Sequence, residues 1–152
     1  MNPKVLLVQV ILSIFFCYTA VAQDWKYDFE EAVLLAQKNE KNIVLLFTGS
    51  DWCPPCIKLE KNILSSDEFL SYAEQNFIWV KADFPRRKKN KLSEIQQKKN
   101  EALANRYNKK WRFPVILVLN QEGQVMGATG YRRDLTVKGY ISLLTQFNSF
   151  EN

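Results

Sequence analysis

The stretch Ile43-Val44-Leu45-Leu46-Phe47-Thr48-Gly49-Ser50-Asp51-Trp52-Cys53-Pro54-Pro55-Cys56-Ile57-Lys58-Leu59-Glu60 decides how this chain reads. Its first five residues are apolar without alternation, the pattern of a central strand covered on both faces by helices. From Ile57 to Leu64 the spacing turns helical. Two thiols therefore sit where a strand hands over to a helix. The first turn of a helix leaves backbone N–H groups unpaired, and their partial positive charge stabilises a thiolate placed there. A C-x-x-C beside a β-α-β pattern reads as a dithiol redox centre.

Upstream, a helix read as entered from Trp25 is marked by Asp28 with Glu31 three residues later, a capping-box arrangement. Its apolar face is Phe29, Ala32, Val33 and Ala36, and it ends near Asn39. Residues 1–22 read as a secretory signal peptide: Lys4, the apolar run Val5 to Phe16, then Ala20-Val21-Ala22 as an A-x-A cleavage signature. The alternative is a membrane anchor, against which the apolar core falls short of the roughly 20 residues that span a bilayer. Cys17 follows two phenylalanines, where a lipid-attachment site needs small residues, so it is expected to leave with the signal. This predicts a protein that is periplasmic or secreted after cleavage near Ala22, with one domain over residues 23–152.

The 130 residues from Gln23 are enough for one core without a covalent staple. Of three cysteines, two then remain, and a bridge between positions three apart removes little unfolded-state entropy. The pair is better explained by chemistry than by stability. Histidine is absent from the sequence, so four cysteine or histidine ligands for a structural zinc cannot be assembled, and copper delivery is disfavoured for the same reason. The reading is of no metal and no cofactor. The net charge of +5 is too small to argue for nucleic acid, which is not expected as a partner.

Downstream, Ser65 with Glu68 marks a second helical start, so Asp67 to Gln75 reads as another helix or as the continuation of a bent one. Phe77 to Asp83 is β-branched and aromatic enough for a strand, ended by Pro85. Arg86-Arg87-Lys88-Lys89-Asn90-Lys91 puts five cations in six residues, an exposed loop that is either a solvated face or a docking surface for an acidic partner or anionic headgroups. A helix from about Ser93 to Tyr107 is expected to turn Ile95, Ala102, Leu103 and Tyr107 inward, with Asn108 capping it in the left-handed conformation. Phe113-Pro114 leads the strand Val115 to Leu119, a place where a strand tolerates proline. A turn at Asn120 to Gly123 joins it to Gln124–Thr129 as a hairpin. The last helix, about Asp134 to Phe147, carries Val137, Tyr140, Ile141, Leu144 and Phe147 at helical spacing.

The order strand, W-C-x-x-C, helix, strand, helix, proline-led strand, hairpin strand, helix resembles the thioredoxin-like superfamily over nearly all of residues 23–152. Trp52, Cys53, Cys56, Phe113-Pro114, Gly123 and Gly130 carry the resemblance. The spacing from Trp52 to Glu60, with a long helix and basic loop before Phe113, is similar to exported members such as the C-terminal domain of DsbD-type thiol:disulfide interchange proteins. The fold implied is α/β: a thioredoxin fold, with a central mixed β-sheet flanked by helices. The resemblance implies that Cys53 is the exposed nucleophile, that Cys56 is the buried resolving thiol, and that the two form a redox-active disulfide. It implies that Pro114 is a cis-proline facing them. Phe113 would then offer backbone groups to a substrate strand, Trp52 would cover one side, and Pro55 would join these two in an apolar substrate-binding surface.

Two departures from the pattern matter. Thioredoxins commonly carry a buried aspartate six residues before the first cysteine, where this chain has Phe47. Glu60, one helical turn after Cys56, either replaces it as proton acceptor or is a surface glutamate paired with Lys61 or another neighbour. Pro54-Pro55 stands where Gly-Pro is usual, which removes two N–H donors and predicts a less favoured Cys53 thiolate and a more reducing couple. The sequence thus points to an exported thiol:disulfide oxidoreductase, in the reductase direction, acting on substrate protein disulfides and recharged by a membrane-borne electron donor. Its alternatives are an oxidase or isomerase using the same exchange, a non-catalytic thioredoxin-like binding module, or a metallochaperone.

Overall fold

The computed structural model describes residues 24–149; the signal-peptide reading, Cys17 and the cleavage near Ala22 lie outside the described residues. Five strands form one mixed sheet in the order β1-β3-β2-β4-β5. The strands are β1 (Trp25–Lys26), β2 (Asn42–Thr48), β3 (Phe77–Asp83), β4 (Val115–Leu119) and β5 (Val125–Thr129). β2 lies parallel to β3 and antiparallel to β4, and β4 and β5 form the expected antiparallel hairpin. The hairpin skips Met126, because Val118 faces Gly127 while Leu119 faces Val125, a bulge in the outer strand. No helix of the described residues is long and apolar enough to cross a membrane.

Alternation along the strands divides the core in two. Val44, Leu46, Trp79, Ile116 and Val118 face one layer, made by α2 (Pro54–Leu59) with the π-helical turn Glu60–Leu64 that continues it, α3 (Asp67–Asn76) and α5 (Val137–Asn148). Ile43, Leu45, Phe47, Val80 and Leu117 face the other, made by α1 (Phe29–Asn39) and α4 (Glu94–Tyr107). β2 is buried on both sides, which is why its sequence lacks alternation.

Several local expectations need correcting. Trp25–Lys26 is a two-residue edge strand beside β3, not helix; Asp28 caps α1 as expected, its Oδ1 accepting from the Glu30 and Glu31 N–H groups. Ser66 rather than Ser65 caps α3, and α5 begins after Thr136, three residues later than expected. Ile95 is 71% exposed and Ala102 is exposed as well. The inward face of α4 is Asn100, Leu103, Ala104 and Tyr107, and Asn100 escaped notice because it is polar. Its Nδ2 donates to the Asp83 carbonyl at 2.8 Å, which satisfies it in the core. Asn108 has φ −130°, so it is no left-handed cap. Its buried side chain instead closes the next loop, donating to the Arg112 carbonyl and accepting from the Arg112 N–H.

Candidate redox site

The parallel β3 and antiparallel β4 bring three chain segments to one end of the sheet. β2 delivers residues 49–53 there, β3 delivers Phe84 to Arg86, and β4 begins there; Phe47 pairs with Val115, one residue after Pro114. Cys53 is the N-cap of α2, with Pro54 and Pro55 in its first turn. Its N–H is used by the Gly49 carbonyl at 3.0 Å, and the Ile57 N–H returns to the Cys53 carbonyl at 3.1 Å. With prolines at the first two helical positions, the Cys56 N–H is the remaining first-turn donor. Cys53 and Cys56 are joined as a disulfide, their Cα atoms 5.2 Å apart. The Phe113–Pro114 peptide is cis.

The expectation of an exposed Cys53 beside a buried Cys56 does not hold in this disulfide state, because each keeps 3% of its surface. The bridge ties the Cys53 sulfur to a sulfur that is itself buried, so neither protrudes. Trp52 and Phe113 stand edge to face, ring centroids 5.7 Å apart, and Phe84 extends the cluster to Phe113 and Trp111. Pro114 is buried, while Pro55 and Phe113 are half-buried. The Trp52 indole N–H donates to the Phe84 carbonyl at 2.7 Å. Gly49 makes room for this ring, since a Cβ there would stand 2.5 Å from the indole.

Two carboxylates pin the Trp52 side. Asp83 accepts from the Ser50 N–H, the Ser50 hydroxyl and the Phe84 N–H. Asp51 accepts from the Arg86 and Arg87 N–H groups and from Asn90 Nδ2. The Arg86 N–H foremost, with the Asn90 amide and the Arg87 N–H, holds the Asp51 carboxyl below the usual carboxylate range. On the other side Glu60 lies with Cys56, Thr48 and Lys81 along an open pocket of about 550 Å³. Its carboxylate is paired with Lys81 on β3, both oxygens 3.4 Å from Nζ, rather than with Lys61. Lys81 also lies over the Trp25 ring, 4.1 Å from its centroid. Phe47 is wholly buried in the apolar layer beneath α1 and α4.

A family model described as thioredoxin-like matches residues 24–121, from β1 through the turn after β4. The chain belongs to the thioredoxin-like family. Among curated relatives, the disulfide bond reductase DsbH of Chlamydia pneumoniae is 38% identical over 103 residues, 68% of this chain and 60% of that protein. The thioredoxin-related protein DsbJ of the same organism is 30% identical over 98 residues, 64% of this chain and 27% of that protein. The match thus spans less than two thirds of either relative. Among solved structures, one titled DsbH oxidoreductase superposes with a TM-score of 0.76 at 32% identity, covering 88% of this chain and 90% of the other. The oxidised C-terminal domain of Neisseria meningitidis DsbD shares the fold, with a TM-score of 0.54 at 16% identity over 77% of this chain and 90% of that one.

The structure therefore gathers Trp52, Cys53, Pro55, Cys56, Phe113 and Pro114 at one end of the sheet, with Glu60 on the Cys56 side. Sequence reasoning missed Gly49, Asp51, Asp83, Phe84 and Lys81. Asp51 had one visible signal, its place two residues before Cys53; its partners lie 35 to 39 residues away.

Proposed function

We propose that this chain is an exported thiol:disulfide oxidoreductase running mainly as a disulfide reductase. The observation that carries the reading is the Cys53–Cys56 disulfide at a helix N-terminus, at the same sheet end as the cis Phe113–Pro114 bond. In the reduced protein the Cys53 thiolate attacks one sulfur of a substrate disulfide; that bond breaks and one substrate thiolate leaves. The Cys56 thiolate then attacks the Cys53 sulfur, the mixed disulfide breaks, and the second substrate thiolate leaves. Two electrons pass to the substrate, and the protein ends as the disulfide seen here. A membrane-borne donor of two electrons restores the dithiol after export.

Glu60 accepts the Cys56 proton in this reading, because it lines the same pocket as Cys56, with Lys81 as its ionic partner. The reductase direction rests on the helix start: two of its first three donors are replaced by proline, so the Cys53 thiolate receives less stabilisation and the disulfide is favoured over the dithiol. Phe113 and Pro114 present backbone to an extended substrate, flanked by the Trp52 and Pro55 surfaces.

The deciding experiment is the equilibrium potential of Cys53/Cys56 against glutathione or dithiothreitol. A value at or below about −230 mV supports a reductase. A value near about −120 mV makes it an oxidase and removes the argument from Pro54-Pro55. A pair that does not cycle leaves a non-catalytic binding module.

A further inference from the structure

The Trp52 side of the disulfide carries more unpaired positive charge than any other part of the described structure. Arg86, Arg87, Lys88, Lys89 and Lys91 are all exposed on one loop, and among the described residues none of their side chains pairs with a carboxylate. Lys109, Lys110 and Arg112, also exposed and also without a carboxylate partner among the described residues, lie on the loop that runs into Phe113-Pro114. These two loops approach the redox centre from different strands. The first is latched to it by Asp51, and its Arg86 guanidinium lies 3.6 Å over the centre of the Trp52 ring. The second is closed by Asn108 and joined to the first through the Phe84–Trp111 contact. The nearby carboxylates do not form ion pairs with them: the oxygens of Asp51 and Asp83 are taken up by backbone N–H, hydroxyl and amide donors. The eight cations exceed the net charge of +5 of the whole chain, so without them the molecule is net acidic.

Between the loops runs a cleft of about 280 Å³ walled by Trp52, Phe84, Pro85, Trp111 and Phe113. Resting on the exchange mechanism above, we propose that this rim and cleft select substrates: the protein takes disulfides set in acidic, extended polypeptide segments that also carry an apolar side chain beside the cysteine. The apolar side chain enters the cleft, the cysteine reaches Cys53, the residue after the cleft wall Trp52, and Asp or Glu side chains on either flank meet the two loops. Charge at a rim acts mainly on encounter, raising association rates by roughly 10-fold to 1,000-fold, and is screened once the Debye length falls to about 10 Å at 0.1 M salt. A polypeptide fits better than an anionic membrane. Trp52, Phe84 and Phe113 are half-buried and packed together as cleft walls, leaving Trp111 as the one exposed ring among them, and a bilayer seated on both loops would cover the disulfide.

The test uses the reduced protein and three synthetic disulfide peptides of equal length with one Phe, flanked by acidic, neutral or basic residues. Second-order reduction rates are compared at about 10 mM and about 300 mM salt. The acidic peptide should react at least tenfold faster than the basic one at low salt, with the gap closing at high salt. Gln replacements at Arg87, Lys88 and Lys89, or at Lys109 and Lys110, should each shrink that gap severalfold. Equal rates for the three peptides, with a small neutral disulfide still reduced, overturn the proposal and leave the exchange reading standing. Failure to reduce any disulfide removes the exchange reading. Docking is then judged with cysteine-to-serine peptides followed by tryptophan fluorescence, where tighter binding of the acidic peptide supports the rim and equal binding overturns it. Strong binding to phosphatidylglycerol vesicles that competes with the acidic peptide assigns the rim to membranes and overturns the proposal too.

Discussion

The two sides of the disulfide use carboxylates in opposite ways. On the Trp52 side Asp51 and Asp83 spend their oxygens on backbone N–H groups, a hydroxyl and an amide, so they act as fasteners for loops and leave the neighbouring cations unneutralised. On the Cys56 side Glu60 has one loose ionic partner, keeps 41% of its side chain exposed, and lines the same pocket as Cys56. A carboxylate that accepts three bonds from fixed donors holds structure; one with spare capacity near a thiol can move a proton. The same residue chemistry thus fastens loops on one side and, on the proposed mechanism, supplies a proton acceptor on the other.

The largest expected effect removes what both sides serve. Cys53→Ser should abolish reduction of any disulfide, while Cys56→Ser should trap mixed disulfides visible on non-reducing gels. Trapping by Cys53→Ser instead of Cys56→Ser would exchange the two roles. Next comes Gly49→Ala, which forces a methyl into the Trp52 indole and displaces its bond to Phe84. We expect a loss of about 1–3 kcal/mol in urea unfolding together with slower substrate exchange. Unchanged stability and unchanged tryptophan emission would show that the ring moves at no cost.

Glu60→Gln sharpens the other side. General acid–base groups contribute roughly 100-fold or more when sheltered, and water reaches this one, so we expect about a tenfold slower resolution of the mixed disulfide. With the acceptor gone the step should depend on hydroxide, its rate rising with pH toward an ordinary thiol pKa of about 8.5. An identical rate and pH profile reduces Glu60 to the ionic partner of Lys81. The smallest effect is at Asp51. Its carboxyl is held below the usual range in the folded state, so its contribution is complete above the unfolded pKa of about 3.9 and is lost as pH falls through the depressed folded value. Asp51→Ala should speed amide exchange at Arg86 and Arg87 at neutral pH with little change in melting temperature. The wild type should do so only in acid.

The chain's architecture was legible because its signals are local. The unalternating β2, the cysteines at the helix start, the proline leading β4 and the turn at Gly123 each act within a few residues. What escaped depends on contacts between distant segments. Asn100 faces inward because the Asp83 carbonyl is waiting for it, and Ile95 is left outside by the same rotation of α4. Cys53 is as buried as Cys56 in the bridged state, and spacing does not encode that burial. The Asp51 latch joins residues more than thirty positions apart, and only the folded sheet end brings them together.

The sheet's margins bear on how such a protein meets unfolded chains. Open strand edges invite an incoming strand to pair, and here both are poor hosts. β1 offers two residues, and β5 is bulged at Met126 and packed under Phe147 through Gly127. An extended client therefore finds little to add to at either border. On the proposed mechanism this lowers competition from edge pairing and leaves the backbone beside Pro114 as the place for a client to align before its disulfide is opened.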